Sequence, residues 1–264
     1  MTVNSRYARF AFATAAIALF LFLYLPVLVL VVFSFQESRV LAWPIDSWSL
    51  RWYQALLDNR QIRQSLLNSL LVAASCVAVT TVVGVPLALA LRRLPAGILG
   101  FFERTLLLPL IIPQIITGLA LLVVLNRAGI QLSLATVTLG QSIVWMPIMV
   151  TVVHARLIRL GTELEKASAD LGANGLETFF LVTLPNIRTA VIGSALLIFT
   201  LSFDELPVTF FLTGGDNTLP MHIWSMLRIG ITPEINAIAT ITVTVSIVLI
   251  LIGVLTLARD FRRS

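Results

Sequence analysis

Charge is scarce in this chain. Asp, Glu, Lys and Arg make up 12% of its 264 residues, against roughly a quarter in soluble globular domains, which excludes an ordinary water-soluble fold. Cysteine is scarcer still. Cys76 is the only one and lies inside an apolar run, so the chain builds neither a disulfide nor a thiolate metal site. Among its 18 basic residues Lys166 alone is lysine. A P-loop needs Gly-x-x-x-x-Gly-Lys-Ser/Thr, so that backbone amides cradle the phosphates and the lysine reaches them. Lys166 stands between Glu165 and Ala167 instead, and no standard ATP site is available. Internal repeats, low-complexity tracts and a soluble domain are also missing.

What is abundant is hydrocarbon: 58% of residues are hydrophobic and the mean hydropathy is +0.97. A helix crossing a ~30 Å apolar layer takes roughly 20 predominantly apolar residues. Six stretches qualify, at 10–33, 66–91, 105–125, 134–155, 189–212 and 235–258. Backbone polar groups have no water in lipid, so helices are the expected form. The expectation is an all-α integral membrane protein, one domain over 1–264. The first span follows Arg6 and Arg9 without a small-residue cleavage pattern and reads as an uncleaved anchor.

Basic residues are retained on the cytoplasmic side. With the N-terminus inside, that side holds Arg6, Arg9, Arg92, Arg93, Arg104, Arg156, Arg159, Lys166, Arg188, Arg259, Arg262 and Arg263, while Arg39, Arg51, Arg60, Arg63, Arg127 and Arg228 lie outside. Both termini and the 156–188 loop are therefore expected in the cytoplasm. The same bias accounts for a pI near 10.3 without nucleic acid. His154 and His222 fall on opposite sides in this topology and make no metal pair.

The spans are interrupted. Gly84 and Pro86 are expected to break the second before Arg92 and Arg93. Pro109, Pro113 and Gly118 crowd the third, and proline removes a backbone donor and clashes with the preceding turn, so that helix should be kinked or broken; it either lines a pathway or kinks only for packing. Trp43, Trp48, Trp52 and Tyr53 in the 34–65 loop favour the interface, with a short helix over 50–57. TGGDNTLP breaks the chain after the fifth span, ahead of an amphipathic stripe at Leu219, Ile223, Met226 and Leu227.

Between Thr162 and Pro185 the chain turns polar: TELEKASADLGANGLETFFLVTLP. Thr162 with Glu165 fits a reciprocal capping box. Gly172 supplies a left-handed helix stop, and Asn174 with Glu177 offers a second cap. Two short helices are expected, 163–171 and 175–183, the second limited by Pro185. Leu176, Phe179, Phe180 and Thr183 recur at helical spacing, giving the second an apolar face. That face either folds back on its own bundle or inserts into a groove on a cytoplasmic partner.

Residues 165–185 resemble the EAA signature of permease subunits of bacterial ABC importers, through Ala167, Ala169, Asp170, Leu171, Gly172, Ala173, Leu184 and Pro185. The continuation SFDELPVTFFLTGGDNTLPMHIWSMLRIGITPEINAIAT resembles the spermidine/putrescine branch, in its second permease. The resemblance implies the six-helix type I importer permease fold, a bacterial inner-membrane location, and an EAA segment docked on an ATPase. It also implies the partners: a second homologous permease, two cytoplasmic ATPases that bind ATP and Mg, and a periplasmic solute-binding protein. No cofactor is expected in this chain, and no catalytic role. One departure stands out. Lys166 occupies the signature's glutamate position, Ser168 replaces its second alanine, and Glu165 lies one residue early, about 100° around a helix.

Asp204 and Glu205 are adjacent acids within the fifth span. Counting from Arg188, Asp204 lies roughly 24 Å in, toward the outer part of the hydrocarbon, and ionisable groups at such depth usually face a cavity or bundle interior. Pro207 cannot donate to the carbonyl of Phe203. With Thr209 nearby, and with Asp216 and Asn217 toward an outer gate, the set reads as an electronegative spot for a cation, and the spermidine/putrescine resemblance implies a polyamine. An ion pair with the partner permease or an interfacial position stays open, as do non-polyamine solutes. An ion-coupled secondary transporter using Asp204 and Glu205 is the competing class; its usual inverted repeat is not evident.

Overall fold

A computed structural model describes residues 6–39, 42–230 and 232–261. The helices are α1 (Arg6–Phe33), α2 (Arg51–Asp58), α3 (Arg60–Leu91), α4 (Ala96–Ile111), α5 (Gln114–Arg127), α6 (Leu134–Leu160), α7 (Glu163–Asp170), α8 (Gly175–Thr178), α9 (Leu184–Phe203), α10 (Pro207–Leu212), α11 (Leu219–Ile229) and α12 (Pro233–Phe261). A π-helical turn, Phe179–Thr183, joins α8 to α9. Among the described residues, four helices are long and apolar enough to cross a membrane: Arg9–Phe33, Arg60–Leu91, Leu134–Leu160 and Gly175–Phe203. The pair Gly97–Ile111 and Gln114–Arg127, bent by 98°, raises this to as many as five. α12 covers the expected sixth span, but its side chains at 249, 250 and from 252 onward lie outside the described residues, as do Arg262 and Arg263 entirely.

The chain divides into two compact units, Met1–Arg60 with Ser225–Val245, and Gln61–Trp224 with Ser246–Ser264. In the first, the aromatic loop is folded on itself. Gln36 and Trp48 form an antiparallel bridge, Trp52 Nε1 donates to Gln36 O at 2.7 Å, and the Ser34 and Tyr53 hydroxyls meet at 2.6 Å. These polar edges are used within the loop, and α2 matches the expected short helix.

The second unit is built around α6. Val137, Val144, Met149, Val150, Val153 and Leu157 are fully buried, and α6 packs chiefly on α9, with α4 and α10 beside it. α3 corrects the expected interruption: it runs unbroken past Gly84 and Pro86 to Leu91. Gly84 serves packing, since a Cβ there would lie 2.8 Å from Met149 Cγ. Pro86 deletes one donor from a 32-residue ladder, too little to end it. The third span does break. Ile112 and Pro113 are extended, with ψ of 132° and 128°; Ile112 is driven out of the helical region because it precedes a proline. The fifth breaks as well, after Phe203, and helix resumes at Pro207.

α10 is wedged between α5 and α6, and glycines make room for it. A Cβ on Gly118 would lie 2.9 Å from Phe211 Cδ2, 3.1 Å from Val208 Cα and 3.2 Å from Pro207 O, and one on Gly140 would lie 2.4 Å from Leu212 Cδ1 and 2.9 Å from Val208 Cγ1. Backbone stands against Gly118 and cannot swing aside, whereas the atoms against Gly140 belong to side chains. Gly118→Val should therefore cost about 1–3 kcal/mol, more than Gly140→Ala, seen as a lower melting temperature in detergent; equal melting of Gly118→Val and wild type would refute the close approach.

Candidate functional site

The polar segment begins at Thr162, whose side chain makes no capping bond. The expected box with Glu165 is not formed. Glu165 turns instead to Arg92 at the end of α3, with which it forms a salt bridge, and its other oxygen accepts from Thr183 Oγ1 at 2.9 Å. Arg92 also donates to Gly161 O at 3.3 Å. A charge-assisted bond to a guanidinium is roughly twice as strong as a neutral one, and this pair is mostly covered, at 12% and 20% exposure. Lys166 points elsewhere and holds Glu163 at 2.9 Å in an exposed pair.

α7 closes as expected at Gly172, with φ +89°. Gly172 N–H reaches Ala169 O at 2.9 Å and Ala173 N–H reaches Ser168 O at 3.1 Å, the two bonds of a Schellman stop. Asn174 Oδ1 accepts from Leu176 N and Glu177 N, and Asn174 N–H donates to Glu177 Oε2. The second helix does not end at Pro185. It continues as one helix from Gly175 to Phe203, because the π-turn absorbs the proline. Leu184 N–H reaches back to Phe179 O, and Asn186 Nδ2 caps Val182 O at 2.7 Å, so the wider turn relieves the clash and the lost donor.

The two phenylalanines part company. Phe179 packs on the core of its own chain, whereas Phe180 is 59% exposed beside Leu171 at 89%, Leu176 at 72% and Leu181 at 75%. Ala167 and Asp170 are exposed, Ala173 is half-buried, and Pro185 is exposed at the start of α9. The result is an uncovered apolar ridge on either side of the Gly172 turn.

In the fifth span the two acids are separated. Asp204 is exposed, at the C-terminal cap of α9. Glu205 is buried, and its carboxylate accepts from Val208 N at 2.6 Å, Thr209 N at 3.0 Å, Thr209 Oγ1 at 2.6 Å and Gln141 Nε2 at 3.1 Å. Gln141 Oε1 in turn accepts from Ser202. Glu205 closes the start of α10, where free amides favour a carboxylate. The joint electronegative spot is thus corrected: Glu205 already has its donors, and Asp204 alone lies uncovered. Phe203 is buried against Phe199, Thr209 is buried, and Pro207 lines an apolar cavity of about 260 Å³ with Ile115, Leu206, Phe210, Phe211 and Trp224. Asn217 O is held by Asn68 Nδ2 at 2.9 Å, and Asp216 O accepts from Thr213.

The chain is 36% identical over 225 residues to the putrescine transport system permease protein PotI of Escherichia coli strain K12, covering 80% of this chain and 77% of that one. It is 32% identical over 212 residues to the spermidine/putrescine transport system permease protein PotC of the same organism, with 80% of each covered. The chain belongs to the spermidine/putrescine branch of the ABC-importer permeases. No family model matches it. The fold agrees: a chain of a bacterial ABC transporter involved in the import of the acidic polysaccharide alginate superposes with a TM-score of 0.74 at 16% identity, covering 97% and 96%. That alginate transporter is also known in complex with a pentasaccharide-bound periplasmic protein, with a TM-score of 0.71 at 17% identity, covering 97% of this chain and 94% of that one.

This permease is a multi-pass membrane protein, and family membership removes the ion-coupled alternative. Several of its working side chains escape a linear reading. Arg92 marks only a span end in sequence, and nothing local ties it to Glu165. Gln141 and Ser202 sit in apolar runs. Leu181 stands five residues after Leu176, off the 3.6 period, and its exposure within the π-turn is not legible in the spacing. Removing the carboxylate of Glu205 strands buried donors: Glu205→Ala should cost about 3 kcal/mol, while Asp204→Ala should stay within about 0.5 kcal/mol. Thermal unfolding of the purified permease in detergent tests both, and comparable melting points for the two variants would contradict the separation.

Proposed function

We propose that this chain forms half of the translocation pathway of a polyamine importer and receives the force for transport through its 162–185 segment. The observation that carries this reading is the ridge of Leu171, Leu176, Phe180 and Leu181, all uncovered by their own chain beside a capped turn. An eight-residue helix such as α7 is marginal alone, and a ridge of this kind is what a helix offers to a hydrophobic groove. The occupant is an ATPase subunit. ATP and Mg reside there, consistent with a sequence that has no P-loop.

The other parts follow the relatives. A second permease completes the pathway, two ATPases supply the cycle, and a periplasmic binding protein delivers the solute. All six apolar stretches cross the membrane, with both termini and the coupling segment in the cytoplasm. The putrescine and spermidine/putrescine relatives favour a polyamine, and the uncovered carboxylate of Asp204 at the break in the fifth span suits an ammonium group. Glu205 supports this from behind by holding α10 in place. Closure of the ATPase pair shifts the ridge, and the motion passes along the unbroken Gly175–Phe203 helix to that break.

In the reconstituted complex, Leu176→Ser with Phe180→Ser should lose ATPase co-purification or coupled uptake; intact assembly with coupled uptake would falsify the docking role. Asp204→Asn should leave assembly intact and raise the KM for putrescine or spermidine about tenfold, one 1.4 kcal/mol contact. Unchanged uptake kinetics would remove Asp204 from the pathway.

A further inference from the structure

We propose that Glu165 is the positioning residue of coupling: by binding Arg92 and Thr183 it locks the cytoplasmic segment to the ends of α3, α6 and α9, so that segment and bundle move as one piece. The inference rests on the reading of 162–185 as the ATPase-facing segment. It starts from what α7 lacks. No residue of α7 is buried, so no apolar anchor holds this helix to the membrane bundle, and its attachment depends on polar ties. One is the pair of hydroxyls Ser168 and Thr178 at 3.1 Å, which joins α7 only to α8. The other is Glu165.

Through two partners that carboxylate ties α7 to three other elements. Arg92 follows directly on the last residue of α3, and the same guanidinium holds the carbonyl of Gly161, the residue after α6. Thr183, buried at 2% exposure, closes the π-turn that leads into α9. The pair is mostly covered, so it escapes the screening that makes exposed ion pairs nearly worthless. Lys166 does not compete, because its ammonium is engaged with Glu163 on the exposed side. A push on the ridge therefore reaches α3 and α6 through Glu165 as well as α9 through the backbone. Without it, α7 is tethered by its two ends and can yield while the bundle stays still.

The test uses the full importer with its ATPases and binding protein in proteoliposomes, and reads putrescine imported per ATP hydrolysed. Glu165→Gln and Arg92→Gln should each keep ATPase co-purification and ATP turnover while that ratio falls about fivefold or more. The exchanged pair, Arg92→Glu with Glu165→Arg, should recover most of it. Where a single variant assembles poorly, Arg92→Cys with Glu165→Cys serves, since native Cys76 is buried: coupling should be low before, and restored after, joining the two thiols with a short bifunctional reagent. An unchanged ratio in the single variants overturns the proposal, and so does a cysteine pair equally coupled, or equally uncoupled, before and after joining. Failure of the docking role itself would show separately, as normal assembly and uptake in the Leu176→Ser, Phe180→Ser variant.

Discussion

A helix that starts anew leaves its first amides without a helical partner, and in this permease the carboxylate of Glu205 makes such a start tolerable. It gives one oxygen to Val208 N–H and the other to Thr209 and Gln141. With those donors answered, α9 can end at Phe203 and α10 can start at Pro207. The remainder of the unit is shaped to this break. Gly118 and Gly140 let α5 and α6 close on α10, and Thr136 Oγ1 takes up the carbonyl of Leu212 at its far end, at 2.8 Å. Asp204 is left uncovered because its neighbour does the structural work.

The 162–185 segment follows the same logic with a different glutamate. Glu165 is held by its own chain, and the groups around it stay exposed: the leucines and Phe180 on the ridge, Lys166 and Glu163 on the flank. In both places the covered acid fixes backbone geometry and an adjacent residue faces outward. Neighbouring charges in this sequence therefore carry unlike duties, and the dividing line is whether donors of the same chain reach them.

Much of the fold was legible in the sequence, since apolar length and proline placement report directly on lipid. The first and fourth spans, the break near Pro113, the Gly172 stop and the Asn174 cap are all local, set by a few consecutive residues. The misreadings are tertiary. Gly84 and Pro86 look like an interruption until Met149 fills the space from α6. Thr162 and Glu165 look like a capping box until Arg92, from the end of another helix, offers the stronger bond. Glu205 looks like half of a cation site until Gln141 and the start of α10 claim it. Pro185 looks like an end because a proline template assumes an α-helical turn, and the π-turn offers another route.

That turn has a consequence for the length of the chain. With Leu184 N–H bonded to Phe179 O, the helix from Gly175 to Phe203 carries one residue more than a regular ladder, and this sets the rotational phase between the ridge below and the span above. Each residue turns an α-helix by about 100°. Adding or deleting one between Phe180 and Leu184 would swing both Leu176 and Phe180 about a quarter turn away from the face that α9 dictates, while every side chain kept its chemistry. The spacing of this stretch is a determinant of its own, and variants that alter it belong with substitutions of the ridge itself.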